Sequence, residues 1–465
     1  MDLDRPVFER IASWARRTFQ AELPADVVDH AQRAILDGVG VTLAAKNGRV
    51  TALLDRLPDF VASGDKPPTI LGHRLSATPA NSSFAIAALG HELDYDDGSL
   101  DLGGHPTVVV LPAALAVAQA RGASGAEVLA AYVVGAEVAC ALGRTLNPEH
   151  YDSGWHPTAT LGAFGATSAT ACLLGFDDER FAQALGLTAS LASGLKANFG
   201  TLTKPLQVGR TAMHGVVATE LIEAGADANA RAFEAAQGFV DVFERRPVDT
   251  LRDLQLPGEQ GQPWSLVDPA LNIKRYPCCA STHSAIDAAV RLHERLGGAE
   301  VRSCTIRLHP AKRVHVDRAD PGSGLEGKFS LQYTVATALR HGRVGLYDFE
   351  DPARLFDEST RRLMDVITVG ELGASDDWSL ERGGAEVGVE TSTGALYERV
   401  PVAIGRERGT MLSSEDVLEK FCDCTTRLGE AARTALAEQL LGLRDVVDVD
   451  ELFLTSIGHV PRIVA

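Results

Sequence analysis

The chain carries two long runs of small and apolar residues, each opened by the same pentapeptide pattern. Gly103-Gly104-His105-Pro106-Thr107 leads into Val108 to Ala120, and Gly154-Trp155-His156-Pro157-Thr158 leads into Ala159 to Leu174. Runs of this length with almost no charge fit helices buried all round. Proline suits the first helical turn, because its missing N–H would have no intrahelical partner there. The residue before proline is held extended. Each histidine is therefore expected just outside a helix start, beside unpaired backbone N–H groups. Such an end attracts anions, and a positive potential there favours neutral imidazole, which can act as a base. One His-Pro alone would equally suit a plain turn. The repeated pattern points to a small acidic ligand between two histidines.

With 465 residues, two or three domains are expected. Aromatic residues make up only 6%, which favours closely packed helices over sheets. The net charge of −18 argues against nucleic acid and anionic membranes as partners, and an acidic ligand would need a local basic site. Seven cysteines, an odd number, match no zinc or iron–sulfur spacing. They read as reduced and mostly structural, in a cytoplasmic protein. The opening Met1-Asp2-Leu3-Asp4-Arg5 does not read as a signal peptide. The most apolar stretch, Val128 to Gly143, contains Glu137 and is too short to span a bilayer, so a core helix is expected there.

Along the chain, Phe8, Ile11, Trp14 and Ala15 recur at helical spacing. A second helix opens at Pro24, presents Val27, Val28, Ala31, Ile35 and Leu36, and is expected to loosen at Gly38 and Gly40. Residues 61–80 read as a loop, and 81–91 as a helix ending in an acidic run, Glu92 to Asp97. Ser124-Gly125-Ala126-Glu127 fits a capping box. Further helices are expected over 157–175 and 178–195. Another, opened by Lys204-Pro205 and closed by Gly225, should bury Met213, Val216, Val217, Leu221 and Ile222. The texture changes near residue 265. Asn272 to Pro277 reads as extended, Ser281-Thr282 as the cap of a helix carrying Ile286 and Leu292, and Val301 to Leu308 as a strand. Residues 328–341 read as a helix. Glu386 to Glu390 and Tyr397 to Ile404 flank a turn-forming triplet, Ser392-Thr393-Gly394, that suits a hairpin. The expected fold is mainly α: a helical domain over 1–267, a smaller α/β lid domain over 268–405, and C-terminal helices over 406–465 that return to the first domain.

Lys204, like the two histidines, precedes a proline, and reads as a carboxylate clamp or proton carrier at a third helix mouth. Lys274 and Arg275 bring two cations to the domain junction, and His283 follows at another helix start. The acidic run fails the calcium-loop spacing, since Gly98 falls where a ligand belongs. One of its carboxylates, Asp94 by preference, suits the orientation of a histidine or the uptake of a proton. Tyr151 is a candidate hydrogen-bond donor, and Tyr333 is equally suited to a site or a core. Cys278-Cys279 read as core residues rather than nucleophiles. There is no dinucleotide fingerprint, phosphate loop or nucleophile elbow, so neither cofactor nor metal is expected.

Taken together and in this order, Tyr95-Asp96-Asp97, Gly104-His105-Pro106, Gly154-Trp155-His156-Pro157-Thr158, Gly200-Thr201 with Lys204-Pro205, Lys274 with Tyr276-Pro277 and Thr282-His283, and Lys328-Phe329-Ser330 with Gln332-Tyr333 resemble the MmgE/PrpD family. The resemblance covers nearly the whole chain and rests on the set of motifs rather than on any one. It implies a helical domain with a smaller α/β lid, a homodimer, and a metal-free site using Asp94, His105, His156, Lys204 and Lys274. It also implies chemistry on small di- or tricarboxylates: dehydration of 2-methylcitrate, decarboxylation of cis-aconitate, or epimerisation of iminodisuccinate. Where the decarboxylases of the family carry a threonine after Asp-Asp, this chain has Gly98. The expected activity is accordingly a hydro-lyase first and an epimerase or decarboxylase second. A non-catalytic anion-binding protein is the alternative of another class.

Overall fold

A computed structural model describes residues 5–45, 48–57, 78–244, 254–373, 384–406 and 408–456. Most of the loop expected over 61–80 lies outside the described residues. The fold is mainly α, and the chain divides into two compact units. The first comprises Met1–Glu92, Asp96–Ile273 and Ser413–Ala465; the second comprises Leu93–Tyr95 and Lys274–Leu412. The second thus begins and ends some residues later than the expected 268–405, and takes in a three-residue piece from far upstream.

In the first unit the chain forms α1 (Val7–Gln20), α2 (Ala25–Ala44), α3 (Pro79–Glu92), α4 (Thr107–Arg121), α5 (Gly125–Leu146), a one-turn α6 (Pro157–Thr160), α7 (Gly162–Leu173), α8 (Asp178–Leu191) and α9 (Thr203–Glu223). Between α3 and α4 a short strand β1 (Gly98–Ser99) pairs antiparallel with β2 (Leu271–Asn272). The small-residue runs became α4 and α7, buried on almost every side, as their composition requires. α7 packs against α4, α5 and α9, and α3 against α9. The contact of α5 with α7 is backbone on backbone. A Cβ added at Gly135 would lie 2.5 Å from the carbonyl oxygen of Gly165, and one at Gly165 would lie 2.5 Å from that of Gly135. Glycine is what permits this approach.

α5 opens with the expected capping box, in which the Ser124 side chain accepts from the Glu127 N–H and the Glu127 carboxylate accepts from the Ser124 N–H. At 22 residues it is longer than the apolar stretch that signalled it, and by length and composition it would suffice to cross a membrane. Here 89% of its most apolar window is buried within the fold. Its Glu137 accepts the N–H groups of Ser265 and Leu266, both at 2.9 Å, while burial pushes its carboxyl up to about 7.

Two expectations about helix faces need correction. α2 is not loosened at Gly38 and Gly40 but continues to Ala44. Those glycines are contact points: a Cβ would lie 2.9 Å from Thr107 Cγ2 in the first case and 2.9 Å from Phe421 in the second. On α9 the buried stripe is Val208, Ala212, Gly215, Val216, Thr219 and Ile222, whereas Leu221 is 45% exposed. Val216 and Ile222 are buried as expected, and the closest approaches to α3 and α7 are made at Gly209 and Gly215.

The second unit is built on a sheet of order β4-β3-β5-β6, with β3 (Val301–Leu308), β4 (Ile367–Glu371), β5 (Ala385–Thr391) and β6 (Gly394–Val400). Strand β3 alternates and buries Cys304, Ile306 and Leu308. The hairpin turns at Ser392-Thr393 between paired Thr391 and Gly394. β6 stops at Val400, short of the expected Ile404, where Pro401 removes a ladder N–H. β4 was not anticipated, because Ile367-Thr368-Val369-Gly370-Glu371 is short; it joins β3 in parallel. Helix α10 (His283–Leu296), closed by Gly297 at φ 55°, packs on β5 and β6, and α11 (Leu331–His341) packs against α10 and against α12 (Glu358–Asp365).

Candidate active site

The two pentapeptides touch in the first unit. The His105 N–H donates to Thr158 Oγ1 at 3.0 Å, so the threonine of the second copy holds the histidine of the first. A Cβ at Gly104 would lie 2.6 Å from that same Oγ1, which explains the glycine before His105. His156 occupies the N-cap position of α6, with Pro157 at the first helical position. Its N–H donates to the Gly194 carbonyl at 3.0 Å.

The His156 ring is 2% exposed. It stands edge-on to Phe199 at 4.9 Å, and Gln207 Nε2 lies 2.7 Å from its Nδ1. Its pKa is held well below the ordinary imidazole value, by burial first and then by His91, Lys204 and His105. Neutrality was expected from the potential of a helix end; desolvation is the larger cause.

His105 turns Nδ1 onto the Asp97 carbonyl and lies 3.2 Å from Asp96 Oδ2. Both neighbours are acceptors, so Nδ1 carries the proton, and the lone pair of the neutral ring is on Nε2. His91, from the last turn of α3, places its own Nδ1 2.7 Å from Asp96 Oδ2. The His91 ring is 4.8 Å from that of His105 and 5.9 Å from that of His156. One atom each from His91, Asp96 and His105 lie within 4.8 Å of one another, a spacing that would also suit a metal ion. Both imidazole Nδ1 atoms already face one carboxylate oxygen, which is the geometry of a hydrogen-bonded proton relay.

Lys204 is not ahead of its helix, as its Lys-Pro pair suggested, but inside the first turn of α9, with Pro205 the next helical residue. Proline is tolerated there because the first-turn N–H groups lack helical acceptors. The half-buried ammonium lies 5.3 Å from the Phe199 ring and lowers the His156 pKa. Behind this cluster, Asp97 is buried, accepts from Thr107 Oγ1, and is pushed up to about 8, chiefly by burial. Thr107 Oγ1 also lies 2.6 Å from the Tyr132 hydroxyl.

The second unit holds a different set. Asp94 adopts φ 52°, in the left-handed region that aspartate tolerates better than most residues. Its carboxylate lies 3.1 Å from Lys274 Nζ, which also donates to the Asp94 carbonyl at 2.7 Å. Lys328 Nζ donates to the Leu93 carbonyl, and burial lowers its pKa to about 8. His283, the first residue of α10, donates from Nε2 to the Cys278 carbonyl at 3.2 Å, and burial followed by Lys274 pushes its pKa down to about 3. Cys278 is buried beside Thr282 Oγ1 at 3.2 Å, with its thiol pushed up to about 12 by burial.

The family profile of the MmgE/PrpD N-terminal domain matches residues 9–250, and that of the MmgE/PrpD C-terminal domain matches residues 276–443. The chain belongs to the MmgE/PrpD family. Curated relatives include a cis-aconitate decarboxylase of Homo sapiens, 26% identical over 94% of this chain and 92% of its own length. A cis-aconitate decarboxylase of Aspergillus terreus is 24% identical over 96% of this chain and 95% of its own length. One of Mus musculus is 26% identical over 85% of this chain and 82% of its own length.

For this MmgE/PrpD member, the residues expected at one site fall into two groups by unit. His105, His156 and Lys204 are in the first; Asp94, Lys274 and His283 are in the second. Asp94 pairs with Lys274 and acts electrostatically on His283, while Asp96 faces His91 and His105. Lys274, expected to bind substrate carboxylate, has that protein carboxylate as its partner. Tyr333 belongs to the core, where its hydroxyl donates to the Asp348 carbonyl and its ring meets Phe349 edge-on at 5.8 Å. The Tyr151 ring lies under Lys196 Nζ at 3.3 Å. His91, Asp96 and Gln207 escaped the sequence reading. His91 and Asp96 flank Asp94 in the same stretch of chain. Nothing in sequence marked Gln207.

Proposed function

We propose that this chain is a lyase acting on a small di- or tricarboxylate, with the histidine cluster handling a proton at a carbon next to a carboxylate. The observation that carries the reading is the grouping of His91, Asp96, His105 and neutral His156 with the Lys204 cation in one unit. His105 offers the Nε2 lone pair, and Asp96 supplies the counter-charge that an imidazolium would need. Lys204 suits a substrate carboxylate and the negative charge that develops during the reaction.

Decarboxylation of cis-aconitate stands first among the possible reactions, because relatives that span more than nine-tenths of the chain carry that name. In that step the bond to the departing carbon dioxide breaks, its electron pair spreads into the remaining unsaturated acid, and a proton carried on His105 as an imidazolium, with Asp96 as its counter-charge, quenches it. Dehydration of a hydroxy-polycarboxylate such as 2-methylcitrate is the second reading. It shares the same carbanion-like charge, and Gly98 follows Asp96-Asp97 where the family resemblance places a threonine in the decarboxylases. A cytoplasmic homodimer, as family membership suggests, completes the reading.

The test is a panel of cis-aconitate, citrate, 2-methylcitrate and iminodisuccinate in deuterated buffer, with products read by NMR. Turnover of one of them with solvent deuterium in the product, lost on His105→Ala, is the expected result. Binding without turnover on any of the four would instead favour an anion-binding protein.

A further inference from the structure

Two residues of loop, Gly194 and Leu195, hold both His156 and the side chain beside it. The His156 N–H donates to the Gly194 carbonyl at 3.0 Å, and Trp155 forms a β-bridge with Leu195. The Leu195 N–H donates to Gln207 Oε1 at 3.2 Å. A backbone N–H can only donate, so the oxygen of the Gln207 amide must face Leu195. The amide nitrogen therefore faces His156, 2.7 Å from Nδ1. An amide NH2 can only donate, so Nδ1 of His156 must be the acceptor and the ring proton must sit on Nε2. The loop is held tightly: Gly194 adopts φ 155°, and a Cβ there would lie 2.4 Å from the Cβ of Ala159 on α6. One turn beyond Gln207, Thr211 Oγ1 donates to the Ala159 carbonyl at 3.0 Å and fixes α9 against α6.

We propose that Gln207 is a positioning residue that locks His156 in its Nε2–H form, so that His156 acts as a hydrogen-bond donor to developing negative charge while His105 moves the proton. The two histidines of the duplicated motif would then be opposites. His105 is held at Nδ1 by acceptors, the Asp97 carbonyl and Asp96, and presents a lone pair at Nε2. His156 is held at Nδ1 by a donor and presents N–H at Nε2. A neutral imidazole is a poor proton source, but as a preorganised donor it stabilises an oxyanion without giving its proton away. A carboxylate in place of Gln207 would accept from Nδ1–H and reverse the arrangement. The division of roles rests on the lyase reading; the tautomer does not.

The experiment uses the full chain with 15N-labelled histidine, and the His156 resonances are assigned from loss of signal in His156→Ala. The wild type should show a protonated Nε2 and an unprotonated Nδ1 at neutral pH. Gln207→Glu should move the proton to Nδ1 or protonate both nitrogens, and Gln207→Leu should yield a mixture. Both variants should lower kcat by roughly tenfold to a hundredfold, the range seen when groups that orient a histidine are removed, with KM changed much less. A wild-type spectrum with protonated Nδ1 would overturn the proposal without any variant, and so would a tautomer unmoved in both folded variants. A tautomer that moves as stated, in a protein that turns over nothing on the panel, would leave the positioning role standing and sink the lyase reading.

Discussion

Two carboxylates two residues apart, Asp94 and Asp96, are both buried, and they do opposite work. Asp96 faces two imidazoles in the first unit, groups that can gain or lose a proton near neutral pH. Asp94 faces Lys274 in the second unit, an ammonium 3.1 Å from its carboxylate. The first arrangement can change state during a reaction; the second holds a strained piece of backbone, Asp94 at φ 52°, in place. Proximity of charged groups alone does not mark chemistry.

The sharpest way to break this comparison is to delete one partner from each side. His105→Ala should cut turnover by about 10²- to 10⁴-fold, the usual worth of a positioned acid or base, while thermal melting stays close to wild type. Equal loss of melting temperature would mean that the imidazole cluster is structural after all. Lys274→Met should do the reverse in stability terms, because it removes the ammonium 3.1 Å from the buried Asp94 carboxylate, at about 3 kcal/mol by urea unfolding. The double variant with Asp94→Asn should recover part of that loss. Failure to recover any would show that the pair does not act as a unit.

A smaller effect comes from pH. Below about pH 8, Lys328 is protonated both folded and unfolded, and its burial penalty is fully present. Between about 8 and the ordinary lysine value of 10.5, the unfolded chain binds the proton and the folded chain does not, so stability rises with pH. The gain is up to ~3 kcal/mol, and Lys328→Met should remove it. His283 works at the acid side: as pH falls from 6.5 towards about 3, the unfolded chain takes up a proton first and stability falls. A urea-midpoint series across pH, with and without each side chain, reads both slopes. Smallest of all, Ser124→Ala, outside either cluster, should lower stability by ~1 kcal/mol through loss of the α5 cap, with turnover unchanged.

Much of the helical framework was legible because it is written locally. The capping box at Ser124 and Glu127, the strand Val301–Leu308 and the hairpin turn at Ser392-Thr393 each depend on residues close in sequence. The histidine mouths were legible for the same reason, since His-Pro-Thr constrains its own backbone. The errors have a common cause. Gly38 and Gly40 looked like breaks because glycine is a poor helix former, yet neighbours pressing on the helix demanded it. Leu221 looked buried and is 45% exposed, because the helix turns Gly209, Gly215 and Thr219 to its neighbours instead. Which carboxylate of the acidic run meets the histidines depends on the backbone turn at Asp94, which no periodicity reports.

Composition and local pattern alone determined that this chain would be mainly helical, that its small-residue runs would be buried, and that two histidines would stand at or near helix starts. Those outcomes follow from turn sterics, capping and hydrophobic burial within a few residues. Tertiary structure alone decided which carboxylate meets which base, and that Gln207, fifty-one positions from His156, would touch its ring. The physical reason is distance. A hydrogen bond reads direction and separation to a few tenths of an ångström, and for residues far apart in the chain those are set only when helices pack.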